Sequence, residues 1–206
     1  YDVLVGGDGI GLVGAQLEYG DGSFQHGAFA FPGLRQLWAE LFPIPARLYD
    51  SRFNGRYPRA WYAARQPFAV DFTLGATMML KREVIQQTGM FDGETFFMYC
   101  EEVDWAWRIQ RAGWQIKTVP AAQVVHLAGK STSQVRPRST LNLWTSRLKL
   151  YDRYYPAWKR LIARWMVRAG MGRKIEQVRD DSSLGADERT ALINAYRKIQ
   201  QLASKG

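Results

Sequence analysis

Three carboxylates crowd into one short stretch at Glu101, Glu102 and Asp104, and a histidine, His126, follows about one strand later. Acids this close raise one another's pKa. One of them can then act as a general base, or the group can help hold a divalent cation to which an imidazole adds a nitrogen ligand. The same residues also have a plainer use. Acids in the first turn of a helix are stabilised by its dipole, Asp104 stands four residues before Arg108 and can pair with it, and a lone histidine is commonly structural. Spacing alone leaves both readings open. The single cysteine, Cys100, excludes an internal disulfide and a thiolate zinc site, and it fits a reducing compartment.

The elements around these residues follow from periodicity and turn residues. Residues 10–19 read as a strand interrupted at Gly14. Asp21-Gly22-Ser23 then makes a turn into a second extended stretch, 24–31, which predicts a hairpin. Residues 32–67 hold five prolines and six arginines without sustained periodicity, long for a connection and expected to be a functional loop region. Strands are expected at 69–72 and 77–80 on either side of Gly75-Ala76, and a short helix at 81–88 stopped by Gly89. The acidic group opens a helix expected to run to Gly113. Two short strands, 115–119 and 123–126, are expected on either side of Pro120. Helices are expected at 140–155 and, after Pro156, at about 157–169 ending near Gly170, with a last one at 187–202.

The 206 residues are 47% hydrophobic and 23% charged, which disfavours disorder, collagen and coiled-coil readings. No run approaches the ~18 apolar residues needed to span a bilayer. The formal charge of +9 is uneven. Residues 1–135 carry 12 basic against 13 acidic side chains, whereas residues 136–206 carry 16 against 6. In that last third Trp158, Leu161, Ile162, Trp165 and Met166 recur at helical spacing, with Lys159, Arg160, Arg164 and Arg168 on the remaining face. Such a helix suits an anionic membrane surface. It equally suits docking of the apolar stripe on the preceding domain with the basic face solvated. No recognition motif accompanies the charge, so nucleic acid is not an expected partner.

Two segments together carry a resemblance: LVGAQLEYGDGSFQ at 12–25, and 70–132 with GA, GMFD, FFMYCEEVDWAWR, AGW and the late His126. Over about residues 10–155 the chain resembles the C-terminal half of the family 2 glycosyltransferases of the GT-A fold, especially the rhamnosyltransferase-like enzymes that build bacterial O-antigen and other surface polysaccharides. The resemblance implies an α/β fold, a partial GT-A domain with a mixed sheet at 1–135, and a basic helical extension at 136–206. It implies Glu102 as the catalytic base, where the family more often has Asp, with Glu101 beside it in the acidic pair. Asp104 and Arg108 match helix positions that are structural or orient the acceptor. Gly75 and Ala76 match the tight turn beneath the donor sugar, with Asp71 just before it as a donor or acceptor contact. His126 matches a histidine that helps hold the donor's metal ion.

Such an enzyme also needs a nucleotide-binding half ending in an Asp-x-Asp pair that holds Mg²⁺ or Mn²⁺ against the diphosphate. This chain contains no Asp-x-Asp triplet and begins at Tyr1, so it is expected to be processed or a piece of something longer, and inactive by itself. The processive QxxRW motif is also absent. The expectation is an inverting, nucleotide-sugar-dependent transferase, peripheral at the cytoplasmic face of a bacterial membrane, acting on a glycan or lipid-linked acceptor. A carbohydrate- or membrane-binding module that keeps the fold without the chemistry is the alternative.

Overall fold

The computed structural model of the chain describes residues 1–127 and 136–205. It is a mixed α/β structure whose residues sort into two compact units. One is formed by Tyr1–Pro32, Ala46–Asp92 and the chain from Glu101 to the end of the last strand. The other is formed by Gly33–Pro45, Gly93–Cys100 and the helices after residue 135. The anticipated single boundary at 135 borders residues 128–135, which lie outside the described residues, as does the end of the second resemblance segment.

The first unit is built on β1 (Ile10–Glu18). This strand lies parallel to β7 (Gln115–Val125), while its other edge is shared by β2 (Phe24–Gln25) and β6 (Met79–Leu80), both antiparallel. β4 (Phe68–Ala69) pairs antiparallel with β7 to complete a five-stranded mixed sheet. A separate two-stranded sheet joins β3 (Ala28–Phe29) to β5 (Phe72–Thr73). The hairpin expected after Glu18 is present, with Leu17 opposite Gln25.

β1 is buried without alternation from Ile10 to Gly14, as befits a strand covered on both faces. Its two glycines make that covering possible. A Cβ on Gly11 would meet Val84 at 2.7 Å and Trp114 at 2.8 Å, and one on Gly14 would meet Thr73 at 2.6 Å. Gly14 therefore admits the second sheet and does not interrupt the strand.

Pro120 does not split β7 either. Ala15 faces Val119 and Gln16 faces Gln123, so residues 120–122 form a bulge where the proline need not donate to the ladder.

The stretch 32–67 is more ordered than its composition predicts. It holds two 3-10 turns and α3 (Arg59–Ala63) in the first unit, and α2 (Leu34–Leu41) in the second. α1 (Asp2–Gly6) opens the chain, and Leu4 packs on Ile10 and Val13.

The second unit is helical: α6 (Arg136–Tyr154), α7 (Ala157–Asp180) and α8 (Ala186–Ala203) enclose a core with α2, including Leu37, Leu41, Trp144, Val167, Met171 and Leu192. α7 does not end at Gly170 as the glycine rule predicts. A Cβ at Gly170 would lie 2.7–2.9 Å from the Leu41 side chain, so the glycine serves close helix packing. Gly170→Ala should destabilise this unit by about 1–3 kcal/mol, and Leu41→Ala by about 2–5 kcal/mol. Their combination should cost clearly less than the sum, because the new methyl group enters space that Leu41 vacates. Urea unfolding of the four proteins measures this, and strict additivity would refute the contact.

Candidate functional site

The acidic group lies at the start of α5 (Glu101–Arg111), and three sets of contacts fix that helix. Arg108 reaches back along it to Asp104, Nε to Oδ2 at 2.9 Å, with the Asp104 side chain fully buried. The same guanidinium donates to the carbonyls of Thr88 and, at 2.8 Å, Met90, just past α4 (Arg82–Thr88). Trp105 Nε1 donates to Thr88 Oγ1 at 2.9 Å, and Thr88 Oγ1 donates to the Val84 carbonyl. On the other side Gln110 Nε2 donates to the carbonyls of Val70 and Asp71, and Trp107 stacks on Phe31 with ring centres 4.1 Å apart.

With α5 held in this way, Glu102 meets the turn between β5 and β6. A Cβ built on Gly75 would lie 4.0 Å from the Cβ of Glu102. The turn is itself anchored: Leu74 N–H donates to the Gly27 carbonyl at 2.8 Å, and Ala15 N–H donates to Thr77 Oγ1 at 3.2 Å. Gly75 and Ala76 are exposed, and Glu102 is half-buried. Glu101 differs from its neighbour, since its Oε2 is buried without a hydrogen-bond partner in the structure.

Just before α5, Tyr99 and Cys100 both take left-handed backbone, each with φ 69°. Left-handed non-glycine residues cost roughly 1–3 kcal/mol each and concentrate at functional sites.

Asp71 is engaged within the protein. Its Oδ2 accepts from Phe31 N–H at 2.7 Å, and its own N–H donates to Tyr57 Oη at 2.9 Å. Burial and the Asp71 charge push the Tyr57 phenol upward.

His126 follows β7. Its N–H donates to the Glu18 carbonyl at 2.8 Å, and Nδ1 lies 3.2 Å from Gln25 Oε1. Among the described residues no three of His, Cys, Asp and Glu gather as a metal-holding group.

A second titratable cluster carries no sequence signal. His26, only 8% exposed, places Nε2 2.6 Å from Asp50 Oδ1, and Asp50 Oδ2 accepts from Arg59 Nε at 2.7 Å. Rings of Phe24, Phe29 and Tyr62 surround the imidazole, and its buried Nδ1 has no partner. Protonation there would bury an unsatisfied donor. Burial accordingly holds the His26 pKa below 6.5, although Asp50 pulls it upward. Nearby, Gln16, Phe24, Arg59, Tyr62, Ala63, Arg65 and Gln123 line an open groove of about 280 Å³ that includes none of the anticipated site residues.

Below the ordinary imidazole value near 6.5 the unfolded chain takes up a proton that the native chain refuses. Stability should therefore fall as pH drops from 6.5 toward the depressed native value and be flat above it. Asp50, held low by His26 and Arg59 against its partial burial, adds its loss only below its ordinary value of 3.8. Urea midpoints across pH 5–8, together with the His26 ring resonance, measure this, and an unshifted resonance would refute it.

No family profile matches the chain. Over 104 residues, half of its length, it is 35% identical to N-acetylglucosaminyl-diphospho-decaprenol L-rhamnosyltransferase from two strains of Mycobacterium tuberculosis, CDC 1551 / Oshkosh and ATCC 25618 / H37Rv. The chain is thus similar to a rhamnosyltransferase. It spans about a third of the length of these relatives, 33% in each case.

The residues anticipated for membrane contact lie on α7, and the structure rearranges them. Arg164 is not on a free basic face. It is buried, its NH2 bonded to both Asp152 oxygens at 2.9 and 2.7 Å and its NH1 to the Leu202 carbonyl. Arg160 approaches the same carboxylate at 3.8 Å. The Lys159 ammonium sits 3.9 Å over the Tyr155 ring, and burial lowers its pKa. Of the four cations only Arg168 is exposed, while Trp158 and Trp165 are each 61% exposed.

Proposed function

We propose that this chain is the acceptor-side portion of a nucleotide-sugar-dependent, inverting family 2 glycosyltransferase of the GT-A fold. In this reading it works at the cytoplasmic face of a bacterial membrane, in synthesis of an O-antigen-like or other surface glycan. The acceptor would be a lipid-linked or polysaccharide sugar, in keeping with the N-acetylglucosaminyl-diphospho-decaprenol named for its relatives. What carries the reading is the placing of Glu102 against the Gly75 turn. The Cβ of Glu102 lies 4.0 Å from where a side chain at residue 75 would begin, beside an exposed turn.

The chemistry asked of Glu102 is general-base catalysis. Its carboxylate takes the proton of the acceptor hydroxyl as that oxygen bonds to the anomeric carbon. The bond from that carbon to the nucleoside diphosphate breaks, the diphosphate leaves with the electron pair, and the configuration inverts. The proton passes from Glu102 to solvent afterwards. Arg108 and Asp104 hold the helix that aims the base, and Trp105 and Trp107 fix its roll. A bound Mg²⁺ or Mn²⁺ would neutralise charge on the departing diphosphate. Among the described residues no group of three potential ligands gathers to hold it, and His126 is the one contributor anticipated from this chain.

The test is transfer of labelled sugar from nucleotide sugars to a polyprenyl-diphosphate-linked acceptor, by a protein joining this chain to a nucleotide-binding half. Glu102→Gln is compared with the parent. Full transfer by the variant would overturn the assignment and favour a carbohydrate-binding module.

A further inference from the structure

α7 carries two apolar faces on opposite sides. Ala163, Met166, Val167, Gly170 and Met171 point into the helical core. At 100° per residue, Trp158, Leu161, Ile162 and Trp165 fall together on the far side, and they are 61%, 59%, 41% and 61% exposed. One set of helical spacings satisfies the core and the other has nothing in the described chain to cover it. Contiguous exposed apolar patches mark interaction sites.

We infer that the Trp158–Trp165 face of α7 docks into the headgroup–acyl boundary of an anionic bilayer, lying in the plane of the surface. Two tryptophans bracket the stripe, and their amphipathic rings are suited to that boundary. The stripe spans about two helical turns, roughly 11 Å, enough to sink one helix face without crossing. None of the described helices is long and apolar enough to cross a membrane. Charge complementarity selects the bilayer over a neutral apolar partner. Residues 136–206 hold 16 basic against 6 acidic side chains, and Arg168 flanks the stripe.

The arrangement also orders the forces. Arg160 and Arg164 are committed to Asp152, and Lys159 lies on Tyr155, so apolar insertion holds the contact and charge gathers it. The inference rests on the geometry of α7 and needs neither donor nor acceptor, so it stands or falls apart from the transfer reading.

The experiment is flotation of the purified chain with vesicles of phosphatidylglycerol and phosphatidylethanolamine in equal parts. A second reading uses an environment-sensitive dye on Ile162→Cys, with Cys100 buried and out of reach. The chain should float with the vesicles and the dye emission should shift to the blue. Trp158→Ser/Trp165→Ser should lower partitioning by at least about tenfold with an unchanged melting curve, since both side chains face solvent. Raising NaCl from 0.1 to 0.5 M should weaken binding less than that. Absence of flotation, or equal flotation by the double variant, would overturn the inference. So would a dimer in light scattering that the double variant dissolves while the vesicles stay bare, because the occupant would then be a second copy.

Discussion

With Glu102 as the proposed base, Glu102→Gln should lower sugar transfer by about 10²–10⁴-fold, the range expected when a positioned general base is removed, and leave donor affinity unchanged. The amide keeps the size and shape of the side chain, so the Gly75 turn and α5 stay in place, and what disappears is the ability to accept a proton. Glu102→Asp is the informative partner. It keeps the base but withdraws it by about one C–C bond, and displacement on the order of 1 Å can cost 10²-fold. The aspartate variant should therefore fall between parent and amide, with the loss in kcat. Single-turnover transfer and donor titration, both on the protein joined to a nucleotide-binding half, separate the terms. A loss confined to donor binding would move Glu102 from base to binding contact.

Arg108→Ala should strongly destabilise the α/β unit. It leaves the fully buried Asp104 carboxylate without its guanidinium, and it strips the Thr88 and Met90 carbonyls of their donor. Breaking a buried pair from one side costs about 3–5 kcal/mol, or a fall in melting temperature of about 6–20 °C for a protein this size. Arg108→Ala with Asp104→Leu should recover part of the loss, since no charge then stays buried. Equal melting of Arg108→Ala and the parent would show that α5 is held by its tryptophans and Gln110 without help from Arg108. Because Arg108 positions the helix that bears Glu102, transfer should fall with it, and Arg108→Lys should restore stability only partly, lacking the planar fork that serves three acceptors.

How far the sequence was legible depends on how local each signal was. The first-turn acids, the Arg108 partner at i+4 and the Gly75-Ala76 turn are short-range patterns, and the structure sets Glu102 against Gly75. Gly170 misled because its reason is Leu41, a residue far away in sequence. Pro120 misled because a bulge absorbs it, and a bulge is a property of the pair of strands. The α7 stripe was visible as a period, but a period does not say which way it points. With apolar residues on both sides of the helix, only the packing of α2 and α8 decides which set is inside. His26 was invisible for another reason. Its partner Asp50 lies in an irregular stretch, and a lone histidine among aromatics carries no spacing to read.

The interleaving of the two units sets an order of events at the ribosome. Residues 33–45 and 93–100 belong with helices that are synthesised later. At about 5–20 residues per second, Leu37 and Leu41 emerge roughly 8–30 s before α8 is complete. Phe96, which ends up beneath the Arg153 guanidinium, waits for α6. Until α6 and α7 are made, each of these short apolar segments, once synthesised, lacks its partner. A chaperone reading the chain from its N-terminus would meet them there, and early termination after β7 would leave them permanently bare.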